Sequence, residues 1–387
     1  MSRHAGLVFA VSALVAAAAA HAEERTGVVV DQHFDASQIG LNTLDLANLP
    51  GQTDSLLSRP GIGASITQNN TQLITNAANI LISQTTVVES AEQIGAGQQL
   101  AGNTLTGGEF SVLSGSLQQT GENLTNVIIA ERVDSMAQQF GPGGTQAVEN
   151  LASLGFANGS LMQTGRNTAN IVVAEISIGA GSQVFPFDSI QSIDNFVRLS
   201  GQPGNALPFD QAFDIPDQFV NIANGVGPAT AGTRGVIVQE GTNLGNILIS
   251  DEVHDVVRVF NGEQIILNNI LVEEMAALPQ NVTQSGINIA NFVSAIEVSG
   301  LVQFSEGVQS VENDVTDASL ASLTAQISEY NHVAENYANV LYIRNGEGGG
   351  TASILPVTAS QGNTIPQSSE SGNGRQVQVG NAAAVER

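Results

Sequence analysis

The 387-residue chain contains no cysteine, no tryptophan and, among its eleven basic residues, no lysine. Without cysteine there is no disulfide framework, no thiolate metal cluster and no cysteine nucleophile. Eleven arginines against 36 acidic residues, for a net charge of −25, exclude an electrostatic nucleic-acid binder, which needs clustered positive charge. Aromatic residues are few, at 4% of the chain. Hydrophobic content is nevertheless 42%, too high for a solvated acidic tail. What the chain has in excess is amide: 33 asparagines and 31 glutamines, with 41 glycines beside them.

Residues 1–22 read as a secretory signal. Arg3 supplies the positive start, Ala5 to Ala20 form a short apolar run, and Ala20-His21-Ala22 is a small-x-small cleavage site. Later stretches fall short of the length that spans a bilayer, so no transmembrane helix is expected in the mature chain. The expectation is an exported protein, at the cell surface, associated with the outer membrane, or extracellular.

An octet recurs along the rest. It reads QTGENLTN at 119–126, QTGRNTAN at 163–170, QEGTNLGN at 239–246 and QSGINIAN at 284–291. Weaker copies are QIGLNTLD at 38–45, QLITNAAN at 72–79 and HVAENYAN at 332–339, and DQFVNIAN at 217–224 reads as a worn extra one. A shorter motif lies between them: QLAGN at 99–103, QAVEN at 146–150, QSIDN at 191–195, QIILN at 264–268 and QSVEN at 309–313. From the first motif's Gln to the second's the distances are 27, 27, 28, 25 and 25 residues. One unit is therefore about 45 residues built from two half-units.

Glutamine and asparagine four apart share a face in either a helix or a strand. The flanking residues decide. Glycine recurs inside the first motif, where a helix would lose up to about 1 kcal/mol, and Val and Ile dominate the runs that follow. Asn126 and its equivalents suit turns. Strand-turn-strand is expected almost throughout, with Leu320 to Ala338 the main place where the pattern also suits a helix. The fold class is thus all-β: a repeat β-solenoid of about 20–25 residues per rung, paired into units of about 45. Thirteen half-units, from Gln38 to Asn339, predict a rod on the order of 60 Å long.

In such a stack, equivalent amides lie over one another, each donating to one neighbour and accepting from the other. The expected columns comprise Gln38, Asn42, Gln72, Asn76, Gln119, Asn123, Asn126, Gln163, Asn167 and Asn170. They continue through Gln239, Asn243, Asn246, Gln284, Asn288 and Asn291, and through Gln99, Gln146, Gln191, Gln264 and Gln309. His332 falls at a ladder glutamine position. The glycines at the motif's centre (Gly121, Gly165, Gly241 and Gly286) are expected to alternate along the stack with Ala101, Val148, Ile193, Ile266 and Val311.

The solenoid is expected over residues 23–345. Residues 185–219 hold four prolines and six of the fourteen phenylalanines and read in part as an insertion. From 346 to 387 the composition turns to Gly, Ser, Gln and Thr, which predicts a flexible tail.

The spaced Gln, Gly and Asn between Gln38 and Asn339 resemble the curlin repeat of bacterial amyloid fibre subunits, a unit of roughly 22 residues. Here Gly and Asn stand two apart, the final Gln of the curlin unit is missing, and the units come in unlike pairs. Irregular spacing and acidity are also similar to a second group of functional-amyloid proteins, whose C-terminal cysteine motif this chain lacks. Among curlin-like proteins, a long exported chain is similar to the holdfast anchor proteins of stalked bacteria, which tie an adhesive polysaccharide to the outer cell surface. The resemblance implies self-association or co-assembly with a small curlin-like surface protein, and contact with an adhesive polysaccharide.

No catalytic residue, metal ligand set or cofactor is expected. His33, His254 and His332 lack metal-ligand spacing, and no G-x-S-x-G, P-loop or H-E-x-x-H is present. Glu131, Glu175 and Asp251 share an offset after the first motif and would form either a solvated edge or a calcium column. The competing class is an exported β-helix that binds or cleaves acidic polysaccharide. Arg132, Arg166, Arg198, Arg234 and Arg258 are too scattered to mark such a site.

Overall fold

The computed structural model describes residues 27–45, 65–66, 68–82, 85–107, 111–200, 235–272, 280–317, 327, 329–344, 352–354, 362–363, 372–379 and 382–385. The signal segment 1–22, Leu320 to Gln326 and the octet at 217–224 lie outside them. Among the described residues there is no helix, and every strand pair is parallel. The fold is all-β, with the stacked parallel strands of a solenoid.

One turn is a flat arch. In the best-formed turn, residues 116–130 run along a front layer, the chain reverses at 131–132, and 132–139 return along a back layer. After a turn at Gly141–Gly144, the strand Thr145–Leu154 completes the back layer. The layers face one another: Gln119 Nε2 donates to Leu151 O at 3.0 Å and Asn123 Nδ2 to Ala147 O at 2.8 Å. Alternation of buried and more exposed positions along 116–125 and along Thr145–Leu154 gives each layer an interior and a solvent face, while 125–131 at the bend are buried throughout.

The next turn repeats this with Ser160–Phe185 and Ile190–Leu199, and the two after it with Val236–Ile249 to Glu263–Val272 and Asn281–Ala295 to Val308–Asp317. Along the front layer Gln119 pairs with Gln163, Gln163 with Gln239, and Gln239 with Gln284. Along the back layer Gln38, Gln99, Gln146, Gln191, Gln264 and Gln309 follow one another.

This register revises the expected rung. Apart from the copy at 38–45, first motifs stack on first motifs and second on second, so a rung is the whole unit of about 45 residues, and the half-units are its two layers. Seven front strands at about 4.8 Å spacing give a stack on the order of 30 Å, half the expected length.

Three other expectations are revised. The strand Glu329–Ile343 occupies much of the segment where a helix was also compatible. Residues 185–199 belong to a regular rung, with Phe185 fully buried and Ile190–Leu199 in the back sheet. Gln163 pairs directly with Gln239, so these two strands are neighbours in the stack, and residues 201–234 lie outside the described residues. Within the expected tail, Ala352–Ile354, Gly362–Asn363, Gly372–Val379 and Ala382–Val385 pair in parallel onto the sheets.

The motif glycines act across the interior, not along the stack. A Cβ on Gly121 would lie 2.5 Å from Val148 Cγ1, on Gly165 2.4 Å from Ile193 Cγ2, on Gly241 2.5 Å from Ile266 Cγ2 and on Gly286 2.3 Å from Val311 Cγ1. Each hydrogen side chain in front thus receives a branched one from behind. At the N-terminal end the sizes are exchanged: Gly40 lies in the back layer, and its Cβ would meet Ile74 of the front layer at 2.5 Å. The copy at 38–45, which carries the front motif's glycine, therefore sits in the back layer beside Gln99 and Asn103.

This pairing predicts a size exchange. Gly121→Val overpacks the layer and costs about 1–3 kcal/mol in denaturant unfolding, whereas adding Val148→Gly to it recovers most of the loss. Equal stability of wild type and the single variant would refute the packing account.

Candidate functional site

The interior of each rung alternates apolar and amide rows. Apolar clusters surround Leu117 and Leu154 at the open edge, Val148 and Ile193 in the middle, and Ile128, Val133 and Met136 at the arc. Between them run buried Gln and Asn side chains, most of them fully removed from solvent. A carboxamide buried without partners is costly, and Gln163 shows how the columns meet that cost. Gln163 Nε2 donates to Gln119 Oε1 at 2.9 Å in the preceding rung and to the backbone carbonyls of Asn150 and Phe196 in the back layer at 2.7 and 3.1 Å.

The structure brings the motif amides together in unbroken columns. In front, Gln284 donates to Gln239, Gln239 to Gln163, Gln163 to Gln119 and Gln119 to Gln72, at 2.8–2.9 Å. Behind, Gln309, Gln264, Gln191, Gln146, Gln99 and Gln38 form a parallel series at 2.7–2.8 Å. Asparagines donate the other way along the chain. Asn76 donates to Asn123, Asn123 to Asn167, Asn167 to Asn243, Asn243 to Asn288 and Asn288 to Asn336, at 2.9–3.0 Å. The back column from Asn42 through Asn103, Asn150, Asn195 and Asn268 to Asn313 has the same sense.

A third asparagine column makes the bend in the front layer. Asn79, Asn126, Asn170, Asn246, Asn291 and Asn339 all have φ between 51° and 57°, the left-handed region that asparagine tolerates best after glycine. Their side chains hydrogen-bond in sequence at 2.7–2.9 Å. One residue type thus supplies both the bend and the ladder.

Sequence reasoning missed one column. Gln183 donates to Gln138, Gln138 to Gln93 and Gln93 to Gln32, at 2.6–2.8 Å. Gln93, Gln138, Gln183 and Gln303 lie 14, 12, 13 and 12 residues after the bend asparagines whose carbonyls they contact. That offset of 12 to 14 residues from Asn79, Asn126, Asn170 and Asn291 is the signal that could have found them.

In the fifth rung the column holds Arg258. Its guanidinium is fully buried, Nε donates to Gln183 Oε1 at 3.0 Å, and Nη1 and Nη2 have no hydrogen-bond partner among the described residues, nor has Gln303 Oε1. Burial alone pushes the Arg258 pKa well below its usual value. His332 takes the front glutamine position opposite Gln284, and burial lowers its pKa. Beside it, the buried Tyr330 hydroxyl donates to Gln284 Oε1 at 2.7 Å and so closes that column.

The acidic offset does not converge. Glu131 is buried, Glu175 is exposed, and Asp251 is held by Arg344 at 3.0 Å. Among the described residues, no three of His, Asp and Glu are placed to hold a metal ion. On the surface, His254 contacts Ser299 at 2.7 Å and Glu252 at 3.2 Å, a string joining two consecutive rungs. No helix among the described residues is long and apolar enough to cross a membrane. Comparison with protein-family models, with curated proteins and with solved structures finds no match.

Two outcomes are expected. Arg258→Gln restores the amide and stabilises the protein by about 1–3 kcal/mol in denaturant unfolding; loss of stability would show that the guanidinium is accommodated. His332, with its pKa below the unfolded value of about 6.5, favours the fold fully above that value, and the contribution fades as pH falls below it. The stability difference between wild type and His332→Gln therefore shifts toward the variant between pH 7 and pH 5; a pH-independent difference would exclude the effect.

Proposed function

We propose that this chain is an exported, non-enzymatic structural protein of the bacterial surface that acts in adhesion, joining an adhesive or fibre to the envelope. The observation that carries the reading is the set of buried amide columns, which recur through the stacked rungs and fix one register. Stacked carboxamides and parallel strands give a rigid body whose strand edges can accept further strands. A curlin-like surface protein is the partner we place at those edges, because its unit also repeats Gln, Gly and Asn. An adhesive polysaccharide is the load such an anchor would hold. The signal-like segment at residues 1–22 and the acidic composition agree with a surface location.

The test is made in cells. A deletion strain is expected to shed its adhesive, and antibody against the chain is expected to label intact, unpermeabilised cells. Labelling only after the outer membrane is opened, or attachment equal to wild type, would overturn the reading.

A further inference from the structure

The two layers of the arch are out of step by half a rung. Gln99 of the back layer donates forward to Leu124 O of the next front strand, and Gln146 likewise to Thr168 O. Gln119 of the front layer contacts both the preceding back strand, at Asn103 O, and its own, at Leu151 O. Along the axis, front and back strands therefore alternate.

The ends of the alternation differ. The first described strands, Val28–Phe34 and Ser37–Asp45, are back-layer strands, pairing with Val87–Gly95 and Gln98–Thr106. No described front strand lies level with them. The last, Gly372–Val379 and Ala382–Val385, are front-layer strands paired to Glu329–Ile343, with no described back strand level with them. One end projects a back half-rung, the other a front half-rung.

We propose that these ends dock head to tail, so that the front half-rung of one copy and the back half-rung of the next close a single shared rung. This rests on the structural reading above and names the partner as a second copy. The joint continues both sheets in parallel by one ordinary step and preserves the front–back alternation. A head-to-head joint would instead set two back half-rungs against each other with strands antiparallel. The contact is heterologous and does not close on itself, so it produces open linear polymers.

Three features of the N-terminal end fit a strand arriving there. Of the twelve large apolar residues that are exposed among the described residues, six lie in its first two rungs: Val28, Val29, Ile39, Leu41, Leu73 and Ile82. Leu41 is 67% exposed and Val29 70%, a concentration of apolar surface that marks interaction sites. The columns also arrive with the right sense. Asn42, Asn76 and Asn79 each donate toward the C-terminal end, which turns their carbonyl oxygens toward the incoming copy. The backbone register places Asn363 at the next position of the Asn42–Asn313 column, so an asparagine meets an asparagine across the joint.

The cysteine-free sequence makes the register testable. Continuing the column Leu41, Gly102, Glu149, Asp194, Leu267, Glu312 and Gly362 across the joint sets Leu41 of one copy beside Gly362 of another. A strand spacing of about 4.8 Å lies within the range a disulfide bridges. Purified full-length Leu41→Cys and Gly362→Cys chains, mixed and mildly oxidised, are expected to give 41–362 dimers in large excess over 41–41 and 362–362. Sedimentation of the wild-type chain should show polymers that grow with concentration. In a separate chain, Ile39→Lys with Leu41→Lys charges the N-terminal edge and should reduce the polymer at least tenfold while the circular dichroism of the monomer is kept.

Equal amounts of the three dimers, excess 41–41, or a wild-type chain that stays monomeric without cross-linking would overturn the proposal. The last outcome includes occupation of the end by residues 1–26 of the same copy. Because cross-linking is read on purified protein and surface labelling in cells, either reading can fail while the other stands.

Discussion

A carboxamide carries a donor and an acceptor at opposite sides of one planar group, and burying it requires both to be met. That requirement organises this structure. A column of identical amides at the spacing of parallel strands satisfies each member from the rungs above and below, and the second N–H reaches a backbone carbonyl of the facing layer, as in Gln163. Removing one member leaves its neighbours with orphaned groups in a low-dielectric interior, so consecutive rungs carry the same residue at the same place except where another side chain meets the exposed group, as Tyr330 does for Gln284. A one-residue slip would turn Gln119 and Asn123 outward together and break two columns at once. The repeat in the sequence is the imprint of that constraint.

The columns also oppose one another. Glutamines donate toward the N-terminal end and asparagines toward the C-terminal end, in both layers. Each column is a line of aligned amide dipoles, and antiparallel lines side by side offset each other, as strand dipoles do within a sheet. The sense of each is set by its contacts: an amide facing a backbone carbonyl must present its nitrogen there. Polarity thus follows from the interleaving of the two layers by half a rung, and it gives the rod a chemically distinct top and bottom.

Much of this was legible in the sequence. Strand periodicity and the paired motifs could be read from spacing; the size complementarity of Gly121 and Val148 was read too, but along the stack, whereas the two face each other across the interior. The rung size could not be read, because 20–25 residues is long enough for a strand-turn-strand turn of its own. Only the backbone register shows that Gln119 stacks on Gln163 and not on Gln146. The motif at 38–45 was equally ambiguous. Its glycine suggests the front layer, but the physical rule is that one small and one branched residue face each other, and Gly40 with Ile74 obeys it with the layers exchanged. The Gln93–Gln138–Gln183 column escaped because its flanking residues vary, and Arg258 interrupts it.

The departures from the pattern show how a column can end. At His332 the front glutamine series loses its carboxamide, and the donor to Gln284 Oε1 becomes the phenol of Tyr330, two residues earlier on the same strand. A hydroxyl completes the last acceptor without presenting a new amide to the rung beyond, and that rung has Gly374 at the same position. The asparagine columns do not stop there: Asn288 and Asn291 donate on to Asn336 and Asn339, and by register the back column reaches Asn363. Termination is therefore column by column, not rung by rung. The glutamine series in the front layer is closed within the chain, whereas the asparagine series run on toward its C-terminal edge with their donors leading.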